Sequence, residues 1–196
     1  MGLRSGRVGW RERSRQLSGA SVAQPVPEAV PSGQTGFRIT DRLDPVTDVD
    51  PRPLADFPVR HVVTTRWTDN DMYGHVNNAA YYAFFDAAIN AWIAAHLPVP
   101  FDRMDSIGVV AESGCRFLRP VSFPGEVTIG MRIERVGTSS VTYALGVFEG
   151  GDPSADSSPC AIAHWVHVYV DRATGTACPI PQGLRPALDA LAEPGR

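Results

Sequence analysis

The chain is 196 residues long, with 43% hydrophobic and 20% charged side chains, which is enough for one substantial core. Its net charge of -3 offers no global attraction to nucleic acid or an anionic membrane, and no stretch approaches the roughly 18 apolar residues of a membrane span. All eighteen basic residues are arginine, and those at 4, 7, 11, 13 and 15 precede no apolar run of the kind a secretory signal needs, so the cytoplasm is the expected location.

Residues 1 to about 35 are rich in Arg, Ser, Gly and Pro and poor in large apolar side chains; they read as an extension with no core of its own. Residues 36–56 turn acidic and carry Pro45, Pro51 and Pro53, the pattern of a linker or a strap laid on a domain. Residues 1–56 are thus expected to form a flexible extension and strap. From Val59 onward Val59, His61, Val63, Thr65 and Trp67 share one face of an extended segment, with Arg60, Thr64 and Arg66 opposite. Residues 68–75, TDNDMYGH, break the alternation as a loop rich in Asp, Asn and Gly. Residues 81–96, YYAFFDAAINAWIAAH, contain no Pro or Gly, and Tyr82, Phe85, Ile89, Trp92, Ile93 and His96 recur at spacings of three and four. The spacing predicts a helix, and its many alanines predict burial on most sides. Asn77 or Asn78 can cap its start, and Pro98 and Pro100 enforce its end.

Strand patterns follow at residues 107–117, at Val127, Ile129, Met131 and Ile133, at Val141, Tyr143, Leu145 and Val147, and at residues 161–171. Residues 150–159 form a polar excursion, read as a mobile hairpin loop, and residues 184–191 suit a short helix, docked or frayed. One strand, one apolar helix and four strands exclude repeated βαβ units. They predict an α+β domain in which an antiparallel sheet wraps one central helix, with sheet edges protected by pairing between subunits. The three cysteines, Cys115, Cys160 and Cys178, are odd in number and lack zinc-knuckle spacing, so they read as reduced thiols. His164 and His167 are three apart on a strand, hence on opposite faces and unsuited to a shared metal.

Residues 66–81, RWTDNDMYGHVNNAAY, closely resemble the signature of the 4-hydroxybenzoyl-CoA thioesterase-like family of hotdog folds. That signature reads aromatic, x, Asp, x, Asp, x, x, Gly, His, Val, Asn, Asn, followed by an aromatic and the central helix. Residues 117–121 with 125–127, and 171–175 with 179–181, resemble the family's strand end and its exit from the last strand. The resemblance covers residues 57–181, leaving 182–196 as a C-terminal tail. It implies the hotdog fold and hydrolysis of an acyl-CoA thioester to a carboxylic acid and coenzyme A, with no metal or other cofactor. It implies also a homodimer or homotetramer with the site at the subunit interface. By position, Asp71 is the expected nucleophile or general base, and the backbone N–H of Asn78 or its neighbour the expected oxyanion donor. Gly74, His75, Val76, Asn77, Tyr82 and Arg119 make up the expected substrate-binding set. One departure is Asp86 followed by Ile89, where many relatives have Glu and then Arg; Asp86 is a lesser candidate for the carboxylate, as in another hotdog branch.

Thioester hydrolysis needs a base or nucleophile, a donor for the developing oxyanion and an apolar acyl pocket. Each residue also has a plainer role. Asp71 could serve only as an Asx turn, Asn77 and Asn78 only as caps, His75 only as a loop brace, Tyr82 only as core, and Arg119, Arg116 and Arg172 only as solvated cations rather than contacts to a coenzyme A phosphate. Two further functions stay open at this level: an acyl-carrier-protein thioesterase, and a noncatalytic acyl-CoA or lipid-binding protein.

Overall fold

The computed structural model describes residues 50–192, so the arginine-rich extension and the last four residues lie outside the described part. The elements are β1 (Val59–Thr64), α1 (Asn78–His96), β2 (Ser106–Phe117), β3 (Glu126–Val136), β4 (Ser140–Glu149), β5 (Ala161–Asp171) and α2 (Arg185–Leu191), with short 3-10 turns between some of them. The five strands form one antiparallel sheet in the order β1-β3-β4-β5-β2. This is the hotdog fold, with α1 lying against the sheet's concave face.

The period-two pattern drives the folding. Ile129, Met131 and Ile133 of β3 and Tyr143, Leu145 and Val147 of β4 point to one face and are fully buried with Trp165 of β5 in a single cluster. Tyr81, Phe84, Phe85, Ala88, Ile89 and Ile93 of α1 enter the same cluster. Burying an Ile or Phe side chain contributes roughly 1.5–3 kcal/mol, so this stripe anchors the helix. The expectation that α1 is buried on most sides is corrected: Ala79, Ala83, Ala87, Ala91 and Ala94 form an exposed line opposite the core. Alanine serves helix propensity without demanding cover, which composition alone does not distinguish from burial.

The strand reading of β1 runs too far. The strand ends at Thr64, and Trp67 opens a 3-10 turn, 76% exposed and edge-on to Phe123 at 5.9 Å. Asp69 ends that turn, buried, its carboxylate accepting from the Arg66 backbone N–H at 2.7 Å and pairing with the Arg66 guanidinium at 2.9 Å.

The buried set extends on both sides of residues 57–181. Leu54 and Phe57 pack on Phe148 behind the sheet. Leu54 N–H donates to Ser157 O and Ala55 N–H to Ala155 O, so the 150–159 excursion is tied to this segment rather than standing free. Leu184 and Leu188 enter the main cluster, which docks α2.

Candidate active site

The loop between β1 and α1 is held by its own polar residues. Asp71 N–H donates to His75 O at 2.8 Å and Gly74 N–H to Asp71 O at 3.2 Å. Gly74 has φ 81°, a left-handed conformation that costs an L side chain roughly 1–2 kcal/mol. Asn70 ties the loop to the chain after β2, its Oδ1 accepting from Phe123 N–H at 3.1 Å. Val76 N–H donates to Val121 O and Asn77 N–H to Asp69 O, both at 2.7 Å. Asn77 is the cap, its Oδ1 accepting from Ala79 N–H at 2.9 Å.

Asp71 is half-buried. Its Oδ1 accepts from Tyr73 N–H at 2.8 Å and, more loosely, from His75 N–H at 3.4 Å, the geometry of an Asx turn. Oδ2 takes no hydrogen bond among the described residues. One oxygen therefore fixes the loop while the other is unengaged among the described residues. Asp71 borders a cleft of about 500 Å³ shared with Val76, Asn78 and Tyr81, and closed by residues 117–120 at the end of β2. Asn78 is the first residue of α1, and its N–H has no acceptor among the described residues. An unpaired N–H at the positive end of a 19-residue helix suits a developing negative charge.

The other candidates divide. Val76 and Arg119 line the cleft with Asp71 and Asn78. Arg119 is held at the rim, its guanidinium donating to Glu149 Oε2 at 3.2 Å and Ser158 O at 3.0 Å. Gly74, His75 and Asn77 shape the loop and helix start without lining the cleft. Tyr82 lies instead against Phe85 and Trp165, with ring centroids 6.3 and 6.1 Å apart. Tyr81 takes the cleft-lining place, 3% exposed and edge-on to Phe117 at 5.0 Å. Burial, with Cys160 and Cys115 nearby, raises its hydroxyl above the ordinary tyrosine pKa. Helical phase was the available signal for Tyr81, since it stands three residues after Asn78 on the same side of the helix.

Asp86 is exposed on α1, accepts from Asn90 Nδ2 at 2.9 Å and does not border this cleft. Arg172 stands at the far end of β2, holding Met104 O and Phe101 O. His164 pairs with Glu112 at 3.2 Å and His167 with Trp165 at 3.0 Å, on opposite faces of β5. The three cysteines are free thiols, and burial pushes Cys115 up to about 12, far from a reactive thiolate.

Comparison with known proteins adds an independent line. A family model described as "Thioesterase superfamily" matches residues 73–155. The crystal structure of the PA5185 protein from Pseudomonas aeruginosa strain PAO1 is 38% identical, covers 75% of this chain and 100% of its own, and superposes with a TM-score of 0.69. A thioesterase from Thermus thermophilus, crystallised with coenzyme A and Zn, is 29% identical over 67% of this chain and 98% of its own, with a TM-score of 0.56. The protein YsmA of Bacillus subtilis (strain 168) is 28% identical over 124 residues, 63% of this chain and 80% of YsmA.

Proposed function

The chain belongs to the thioesterase superfamily, and from that premise we propose that it hydrolyses acyl-CoA thioesters at the Asp71 cleft, releasing a carboxylic acid and coenzyme A. One observation carries the reading: Asp71, with one oxygen unengaged among the described residues, and Asn78, with its N–H likewise unpaired at the start of α1, line the same cleft. The coenzyme A held by the Thermus thermophilus relative supports the thiol half of the substrate.

With the thioester carbonyl oxygen at Asn78 N–H, charge that develops on that oxygen is met by a fixed donor and the helix end. Asp71 acts in one of two ways. It attacks the carbonyl carbon, expels coenzyme A thiolate and leaves an acyl–aspartyl anhydride that water cleaves; or it takes a proton from water as that water attacks. Both routes end in a free acid and a protonated thiol. The Asx turn serves either route by holding the carboxylate in one orientation. The presence of Arg119 in the cleft lining supports its reading as a contact for a coenzyme A phosphate.

The acting unit in this reading is a homodimer or a pair of dimers. β2 is a 12-residue edge strand whose outer side pairs with no other strand among the described residues, and Val110 near its centre is 48% exposed. The alanine line of α1 offers the same second copy a close approach.

The test is thiol release from a panel of acyl-CoAs. Asp71→Asn should lower kcat by about 10²-fold or more, the scale of a lost acid–base group. An active wild type that barely responds to this change would remove Asp71 from the reaction. The same acyl group on a carrier-protein arm distinguishes the carrier-protein thioesterase, and saturable binding without thiol release would favour the noncatalytic binder.

A further inference from the structure

The sheet face turned away from α1 has a cover at one end. Phe57 lies over Gly130 and Gly146, register partners in β3 and β4: a Cβ on Gly130 would sit 2.7 Å from Phe57 Cγ, and one on Gly146 3.1 Å from Phe57 Cζ. Leu54 and Phe148 complete that cluster. Farther along the same face come Arg132 of β3, its register partner Ala144 of β4, and His164, Val166 and Val168 of β5. Val166 is 4% exposed and Val168 5%, yet neither belongs to the core cluster around α1 or to the Leu54 cluster. The buried residues of α1 and α2 enter the core cluster, on the opposite face. Arg132 is 6% exposed and His164 4%; Glu134 Oε1 lies 2.6 Å from Arg132 Nη2, and Glu112 Oε1 3.2 Å from His164 Nε2. A guanidinium brings five donors, and a cation held so far from water needs carboxylates around it.

The described part begins at residue 50, four residues before Leu54, so the preceding chain joins the domain on this same face. Residues 37–49, FRITDRLDPVTDV, carry both chemistries that the face calls for. Phe37, Ile39, Leu43, Val46 and Val49 are apolar, and Asp41, Asp44 and Asp48 are acidic. Thirteen residues in extended form can reach about 45 Å. The face to be covered is smaller: two strand spacings from β3 to β5, about 10 Å, by about 20 Å along β5 from Ile162 to Val168.

We propose that residues 37–49 cross this face as a strap, with their aliphatic side chains on Val166 and Val168 and their aspartates toward Arg132. Apolar burial holds the strap down, and the carboxylates compensate a cation that the strap itself keeps from water. The segment is then part of the domain's packing, and it closes this face to a second copy.

The test is thiol accessibility in the full chain. Val166→Cys is treated with N-ethylmaleimide under native conditions, alone and combined with Leu43→Asp and Val46→Asp, and each modified position is identified by peptide mass spectrometry. Position 166 should react about tenfold or more faster once the two aspartates have loosened the strap. Cys160, fully buried in the core, should stay unmodified in both chains, which separates loosening from global unfolding. Equal rates at position 166 overturn the proposal. Protection that falls away on dilution and ignores the strap substitutions also overturns it, and assigns the face to a second copy. A milder set of variants decides the matter if Leu43→Asp and Val46→Asp unfold the domain. Tm is measured for Arg132→Gln, for Asp41→Asn, Asp44→Asn and Asp48→Asn together, and for all four. The lowering caused by Arg132→Gln should shrink by about half or more in the asparagine background, because groups that interact are not additive; additive lowering overturns the proposal.

Discussion

Two residues show how little separates a structural role from a chemical one. Asp71 uses one oxygen to close its loop, the other is unengaged among the described residues, and the residue lines the cleft, so the Asx turn and the proposed chemistry share a side chain. Asn77 does only the first kind of work: Asn77→Ala should cost about 1 kcal/mol in a urea melt, as for a lost N-cap. Gly74→Ala should cost about 1–2 kcal/mol by left-handed strain alone, because a Cβ there meets no atom within 4 Å. His167 supplies a pH test. Its pKa is lowered from 6.5 to about 4, mainly by burial and against the pull of Asp86. Between those values the unfolded chain binds the proton and the folded one does not. Stability is therefore fully present above pH 6.5 and falls as pH drops, by about 3 kcal/mol once pH 4 is passed. Urea midpoints measured between pH 7.5 and 4.5 should fall more steeply in the wild type than in His167→Phe. Equal slopes would remove His167 from the acid response.

At the scale of elements, α1 has one committed face and one open face. Ile89→Ala, at a fully buried position, should cost about 2–5 kcal/mol, while Ala87→Ser on the open side should stay within about 0.5 kcal/mol. Thermal unfolding of the two variants checks the asymmetry. α2 is a short helix of seven residues that would be marginal alone. Leu184 and Leu188 hold it in the core, and Arg185 fastens it by donating to Gly137 O at 2.9 Å and pairing with Asp189. Leu188→Ala should therefore destabilise the whole domain by about 2–5 kcal/mol in one transition. A separate early transition would mean that α2 detaches first.

At the scale of the molecule, the sheet order puts β1 and β2 on the edges, and β2 is twice as long, 12 residues against 6. If two copies join along β2, Val110→Arg places like charges near the two-fold axis and should shift sedimentation toward the monomer. Activity should fall with it, since the end of β2 at Phe117 also lines the proposed Asp71 cleft. A variant that stays assembled and fully active would exclude the β2 edge as the contact.

Periodicity along the chain was enough to reveal five strands, one long helix and their order, because side-chain alternation and the 3.6-residue turn are local properties. The Asp, Asn and Gly loop was legible for the same reason: Asp71, Gly74 and Asn77 each answer a backbone demand within a few residues. What the chain alone left undecided depends on contacts across long separations. The choice of Tyr81 over Tyr82 for the cleft follows from where residues 117–120 come to rest. The exposure of the alanine line follows from a sheet that covers only one side of α1. The burial of Leu54 and Leu184 follows from sheet faces assembled far from them in sequence. His167 Nδ1 has no partner among the described residues because Trp165 takes its other nitrogen and β2 brings a glycine beside it. Pattern determines which way a side chain points; only the packed neighbours decide what it meets.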